Sequence, residues 1–243
     1  MTETKAKFIT FEGVECSGKG IQSQLLTKRL LGRQIVADYV HEPGGTPYGE
    51  ALRALIKNPE IALPAIFAAL QNHSDYPSLP DLHQLTQHKH LDFKRHTATE
   101  TLLFLGARAE FAQSIKPLLA HGRWVISDRM MDSTIAYQGG GHQQDIGFLQ
   151  QLNAYVLDGL RPDLTLFLDI PIDVMILRMN SQSDEKNSYM EKTYDVAFYE
   201  RVRAEYLNIA KREPDRFKVI DGTASIEEVA ASVNGHVDAL LAA

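Results

Sequence analysis

Residues 13–20 read GVECSGKG: a glycine, four residues, then Gly-Lys. Successive backbone N–H groups in such a loop, with the N-terminus of a following helix, make a ready anion site. Lys19 would lie against a moving phosphate and offset the charge that builds there. The next position usually carries a Ser or Thr whose hydroxyl holds magnesium, but here it is Gly20, and Ile21 has no hydroxyl either. The expectation is a phosphate loop of Gly13, Val14, Glu15, Cys16, Ser17, Gly18, Lys19 and Gly20 with a thin metal site. Waters and phosphates would supply most ligands of a Mg2+ ion there.

Three further groups could serve the same chemistry. Asp128 and Arg129 end the apolar run VISD, where ligand-facing residues of an open parallel sheet belong. An acid there can organise magnesium, and an arginine can bridge phosphates; an exposed Asp-Arg pair at a strand end is the plainer alternative. Arg53 follows the glycine turn of HEPGGTPYGEALR and could clamp a second phosphate, although taken alone it reads as a solvated helix arginine. Phe104 and Arg108 are four apart and share a helical face. They could stack on and hydrogen-bond a base, or Phe104 could be an ordinary core residue. The histidines His73, His83, His88, His90 and His96 have spacings that fit no compact metal site, and no cysteine accompanies them. Cys16 reads as a small tolerated loop residue.

These groups need a scaffold. KFITFEG is a short β-rich run entering glycine, and GIQSQLLTKRLLGR places Ile21, Leu25, Leu26 and Leu30 on one expected helical face, ending at Gly32. QIVADYV, RWVISD, DLTLFLDIP and RFKVIDG read as further strands. EALRALI, the long ATETLLFLGARAEFAQSIKPLLAHG, VAFYERVRAEYLNIAKREP and SIEEVAASVNGHVDALL read as helices. Alternating strands and helices predict a three-layer α/β/α domain, a parallel sheet covered on both faces. The 1–243 span is expected to be one domain, with two breaks in its rhythm. Residues 58–98 combine four prolines and five histidines with little periodicity, as an insertion would. Residues 180–193 are polar and lie between helices, like a flap.

Composition limits the partners. Hydrophobic residues at 44% and charged residues at 23% are ordinary for a water-soluble globular chain. A net charge of −6 suggests neither nucleic acid nor an anionic membrane as a partner. One cysteine allows no internal disulfide, and no apolar run suits a signal peptide or a membrane span, so a cytoplasmic setting is expected.

From residue 7 to about 230 the chain resembles the thymidylate kinase family of P-loop nucleoside monophosphate kinases. The resemblance is carried by FEGVECSGKG, EPGGTPYGEALR, TLLFLGARAE, DRMMDSTIAYQGGG, RPDLTLFLDIP and FYERVRAEYL. It implies a P-loop fold, phosphoryl transfer from ATP to dTMP with Mg2+, and a homodimer. By position it implies that residues 13–20 hold the ATP phosphates and that Glu15 lies near the acceptor sugar. Arg53 and Arg129 would hold the acceptor phosphate, with Asp128 beside them. Phe104 would stack on thymine and Arg108 would read its edge. Tyr137 would crowd a 2′-hydroxyl, with Gln138 next to it and Ser133 lining the same pocket.

The chain departs from the family at Gly20 and at His41, where REPGG usually has arginine. Members with an acidic phosphate loop commonly carry a flap arginine, whereas residues 180–193 contain only Lys186 and Lys192. Lysine lacks the planar fork that binds two oxygens at once. The expectation is a slower kinase in which Lys186, Lys192 or Arg178 substitutes. Two alternatives are a kinase for another deoxynucleoside monophosphate, with Glu110 altering contacts to the base, and a weakened nucleotide-binding homologue.

Overall fold

The computed structural model describes residues 6–72, 75, 95–181 and 194–242. Its five strands form one parallel sheet: β1 (Phe8–Glu12), β2 (Ala37–His41), β3 (Trp124–Asp128), β4 (Leu164–Asp169) and β5 (Phe217–Asp221), in the order β2-β3-β1-β4-β5. From β1 the chain runs to one edge, and from β3 it crosses to the other half of the sheet. The C-terminal ends of β1 and β3 therefore flank the crevice that such sheets leave for ligands. Register places Phe11 beside Asp128 on one side, and His41 of β2 beside Asp128 on the other.

Helices are α1 (Lys19–Gly32), α2 (Pro47–Lys57), α3 (Pro59–Gln71), α4 (Thr97–Ala120), α5 (Met131–Thr134), α6 (Ile146–Leu157), α7 (Ile172–Asn180), α8 (Val196–Arg212) and α9 (Ile226–Ala242), and α5 runs on into a π-helix, Ile135–Gly141. Strand alternation divides the core into two layers. Ile9, Phe11, Leu166 and Leu168 meet Leu26 and Leu30 of α1 and Val229, Val233 and Val237 of α9. On the other face Phe8 and Val125 meet Phe111 and Ile115 of α4, while Phe167 stacks on Tyr206 of α8 at 4.8 Å between centroids. Each such fully buried side chain contributes roughly 1.5–3 kcal/mol. Arg216, just before β5, donates to both Asp132 oxygens at 2.8 Å and to Thr165 Oγ1 at 2.6 Å, which ties α5 to β4.

The structure corrects the expected face of α1. Leu26 and Leu30 are buried, but Ile21 and Leu25 are exposed; the buried face runs instead through Gln22, Ser23 and Thr27. At about 100° per residue Ile21 stands on the opposite side of the helix from Leu30. Within the stretch 58–98, where periodicity is weak, residues 59–71 are helix α3 with Pro59 in its first turn and Pro64 inside it, while residues 73–74 and 76–94, with His73, His83, His88 and His90, lie outside the described residues.

The glycine run of IAYQGGG gave no helical signal, because glycine costs about 1 kcal/mol against alanine in a helix. Packing overrides that cost. A Cβ on Gly140 would stand 2.7 Å from Glu205 Cβ and 2.9 Å from the Arg201 carbonyl, so only glycine lets the π-helix lie directly on α8.

Candidate active site

β1 delivers the chain straight into the loop and α1 receives it. Gly18 precedes the helix with φ 94°, a left-handed turn that suits glycine. Lys19 folds back over its own loop: Nζ donates to the carbonyls of Gly13 at 3.1 Å and Val14 at 2.8 Å. Burial and the Arg129 guanidinium push this ammonium down to about 8, against the pull of Asp128, Glu15 and Glu12. On the loop's outer side Arg178 donates to the Cys16 carbonyl at 3.2 Å and to that of Gly222 at 3.0 Å. Arg178 thus buttresses the phosphate loop, while Lys186 and Lys192 lie outside the described residues.

Two cavities meet at this loop. One, of about 340 Å³, is lined by residues 16–21 with Gln24 and Asp128. The other, of about 470 Å³, gathers Glu15, Arg53, Phe104, Arg108, Asp128, Arg129, Ser133, Tyr137 and Gln138 from four separate stretches of chain, and residues 39–43 add a fifth. Cys16, Lys19 and Asp128 line both. A Cβ placed on Gly20 would come within 3.5 Å of Asp128 Oδ2, so this carboxylate faces the first turn of α1 across the smaller cavity. Among the described residues no cluster of three or more His, Cys, Asp or Glu could hold a metal alone. The donor set fits a Mg2+ ion carried mainly by phosphates and waters.

Arg129 has a positive φ of 73°, a strained conformation for a residue with a side chain. Its Nη2 lies 3.0 Å from Glu15 Oε1 and 3.0 Å from the Tyr137 hydroxyl, which donates back to Glu15. Burial alone would raise the Glu15 carboxyl, but Arg129, Lys19, Lys57 and the Tyr137 bond hold it below the usual range. Arg53 donates to the Pro43 carbonyl at 2.6 Å, at the cavity's edge.

Arg108 is buried more completely than a base-reading role suggests. Nη1 donates to Thr134 and, at 2.7 Å, to Asn153; Nη2 donates to Glu42 Oε2 and the Met130 carbonyl, both at 3.1 Å. Nε lies 2.6 Å from Glu42 Oε1, at an angle too oblique for a hydrogen bond. Both Nη atoms are thus engaged with protein at the cavity wall, and Nε is paired with Glu42 by charge alone. Glu110 is exposed and does not line the cavity, since two residues on from Arg108 is the far side of α4.

Two participants escaped the sequence reading. Lys57 lines the larger cavity and stands one turn beyond Arg53 on α2, a spacing of four that could have revealed it. Glu12 is fully buried at the end of β1, and its signal was a carboxylate inside an apolar strand. It accepts from the Met130 N–H at 2.8 Å, the Ser133 hydroxyl at 2.6 Å and the Tyr206 hydroxyl at 2.8 Å. Those bonds shape the loop that presents Arg129 and Ser133.

Comparison with known proteins places the chain in a family. A family model described as thymidylate kinase matches residues 11–75 and 82–233. The chain is 39% identical over 228 residues to the thymidylate kinase of Cupriavidus pinatubonensis, covering 93% of this chain and 94% of that one. It is 36% identical to the Kosmotoga olearia enzyme of the same name, covering 91% and 90%. A crystal structure of thymidylate kinase from Ehrlichia chaffeensis superposes with a TM-score of 0.63 at 31% identity, covering 96% and 99%.

Glu12 gives the site a pH signature. Burial, with the Asp132 carboxylate nearby, raises its pKa from 4.5 to about 7 despite Arg129, Ser133 and Tyr206. The folded state therefore holds this proton more tightly than the unfolded chain does. The associated stability is fully present below about 4.5 and is lost as pH rises through about 7. Between pH 5 and pH 8 the wild type should lose more unfolding free energy than Glu12→Gln, with urea titrations followed by Trp124 fluorescence as the measurement. Parallel pH profiles would show that Glu12 titrates alike in both states.

Proposed function

Because the chain belongs to the thymidylate kinase family of nucleoside monophosphate kinases, we propose that it transfers the terminal phosphate of ATP to dTMP, giving dTDP and ADP for dTTP synthesis. The observation that carries this is the junction of two cavities at Lys19 and Asp128. A phosphoryl group passing in line from a donor in one to an acceptor in the other crosses between these two side chains. Little covalent work falls to the protein in such a transfer; positioning and clustered positive charge supply most of the acceleration.

Each residue then has a task. Lys19 exchanges its loop carbonyls for donor phosphate oxygens. Arg129 and Arg53 grip the acceptor phosphate, Arg129 loosening its hold on Glu15 and Tyr137 to do so. Phe104 offers its face to the base, and Arg108, fixed by Glu42, sets the wall against which the base edge lies. Tyr137, pinned by Glu15, and Ser133 border the sugar. Gln138 lines the same pocket. Arg178 steadies the loop from outside. Mg2+ would be held by phosphate oxygens, waters and Asp128, and when bound it neutralises charge on the phosphates.

A homodimer is part of the proposal. Tyr48, Leu102, Phe148 and Tyr155 expose apolar area on α2, α4 and α6, helices packed side by side. Such residues on neighbouring helices offer apolar anchors on which a second copy would pack. A cytoplasmic setting is also proposed, supported by the single cysteine and the absence, among the described residues, of a helix long and apolar enough to cross a membrane.

The decisive experiment is ADP release with ATP and Mg2+ against dTMP, dUMP, dCMP, dGMP and dAMP in turn. Turnover should strongly favour dTMP, and a preference for another base would reject the assignment. Gly20→Ser places a hydroxyl beside Asp128 with room to spare, so the Mg2+ concentration giving half-maximal rate should fall by about tenfold. An unchanged magnesium titration would mean that the metal does not approach this turn. Sedimentation velocity at micromolar concentration should give the mass of two chains; a 27 kDa species alone would remove the dimer.

A further inference from the structure

Glu100 is a carboxylate buried to 2% exposure on the first turn of α4, one turn before Phe104. It does not line the acceptor cavity. Its Oε1 accepts from Gln138 Nε2 at 3.3 Å and faces His142 Nε2 at 3.1 Å; its Oε2 accepts from the Tyr194 hydroxyl at 2.6 Å and faces Arg95 Nη2 at 3.5 Å. Burial alone would raise this carboxyl, but the His142 and Tyr194 bonds hold it low, so it stays ionised. A buried charge of this kind is costly, and a well-packed apolar residue would often serve the fold as well.

Its ionised state has one consequence inside the acceptor cavity. A carboxylate only accepts hydrogen bonds, so the Gln138 amide must turn its NH2 toward Glu100. The other end of that amide, Oε1, takes no hydrogen bond from the described residues, and Gln138 lines the cavity beside Phe104. We infer that Glu100 is a positioning residue for base selection: by locking the Gln138 amide it presents a pure acceptor to the base. Resting on the dTMP kinase reading, this favours bases with an N–H at the ring edge, such as thymine and uracil at N3, over cytosine, whose N3 is itself an acceptor. The discrimination comes from leaving two acceptors facing each other when cytosine enters, an unpaired arrangement that a dry pocket penalises.

Glu100→Gln keeps the size and removes the fixed polarity, since an amide there can donate as well as accept. The kcat/KM ratio for dTMP over dCMP should fall by about tenfold, mostly through KM for the two acceptors, with KM for ATP unchanged. Tyr194→Phe removes another partner of the same carboxylate and should leave the ratio where it was. A merely structural role would lower all substrates together and spare the ratio, which would overturn the inference. Because Glu100→Gln could fail to fold, the wild type is also assayed with N3-methyl-dTMP, which lacks the edge N–H. Its KM should be at least about tenfold above that of dTMP, and equal values would overturn the inference without any variant. Absence of turnover on dTMP itself would instead reject the kinase reading.

Discussion

The grip of Glu12 on the loop after β3 is the constraint on which the site depends. β1 and β3 are neighbours by register, but register alone would leave residues 129–133 free to splay. Four donors, the Met130 and Ser133 N–H groups and the Ser133 and Tyr206 hydroxyls, converge on one carboxylate at the end of β1. The same strand continues directly into the phosphate loop. One buried residue thereby ties the glycine-rich loop after β1 to the loop that carries Arg129. The strained φ of Arg129 is tolerated because the residues on either side are held.

Around this joint the acceptor cavity is electrostatically self-satisfied. Arg129 rests on Glu15 and Tyr137, Arg108 on Glu42, and Lys19 on loop carbonyls. A phosphate entering the cavity does not meet bare cations; it displaces partners already in place. Net affinity is then a difference between two sets of charge-assisted bonds, while geometry is set beforehand. Such preorganisation suits a reaction governed by placement and field.

Much of this was legible in the chain. The phosphate loop, the alternation of strands and helices, and the arginines at strand and helix ends all carry local signals of spacing and residue type. What was not legible depended on tertiary packing. The π-helix hides behind three glycines whose helical cost is offset only when α8 lies against them. The wrong face of α1 followed from reading leucines and isoleucine as the core, when Ser23 and Thr27 are buried through bonds to backbone carbonyls one turn earlier. Arg108 was identifiable by its spacing from Phe104, but its buried pairing depends on Glu42, 66 positions away.

The contact of the π-helix with α8 also divides the cavity into two unequal walls. With no side chains between the backbones at Gly140, and with Tyr206, Phe167 and Phe217 stacked behind, the wall bearing Tyr137 and Gln138 is backed by continuous packing down to the central sheet. The opposite wall, α2, is fastened near the cavity by Arg53 to the Pro43 carbonyl and by Arg95 to the last carbonyls of the helix. Both walls are therefore held in advance, one by close packing of backbone on backbone and the other by guanidinium bonds to carbonyls, so the cavity's shape is set from two sides by unlike means.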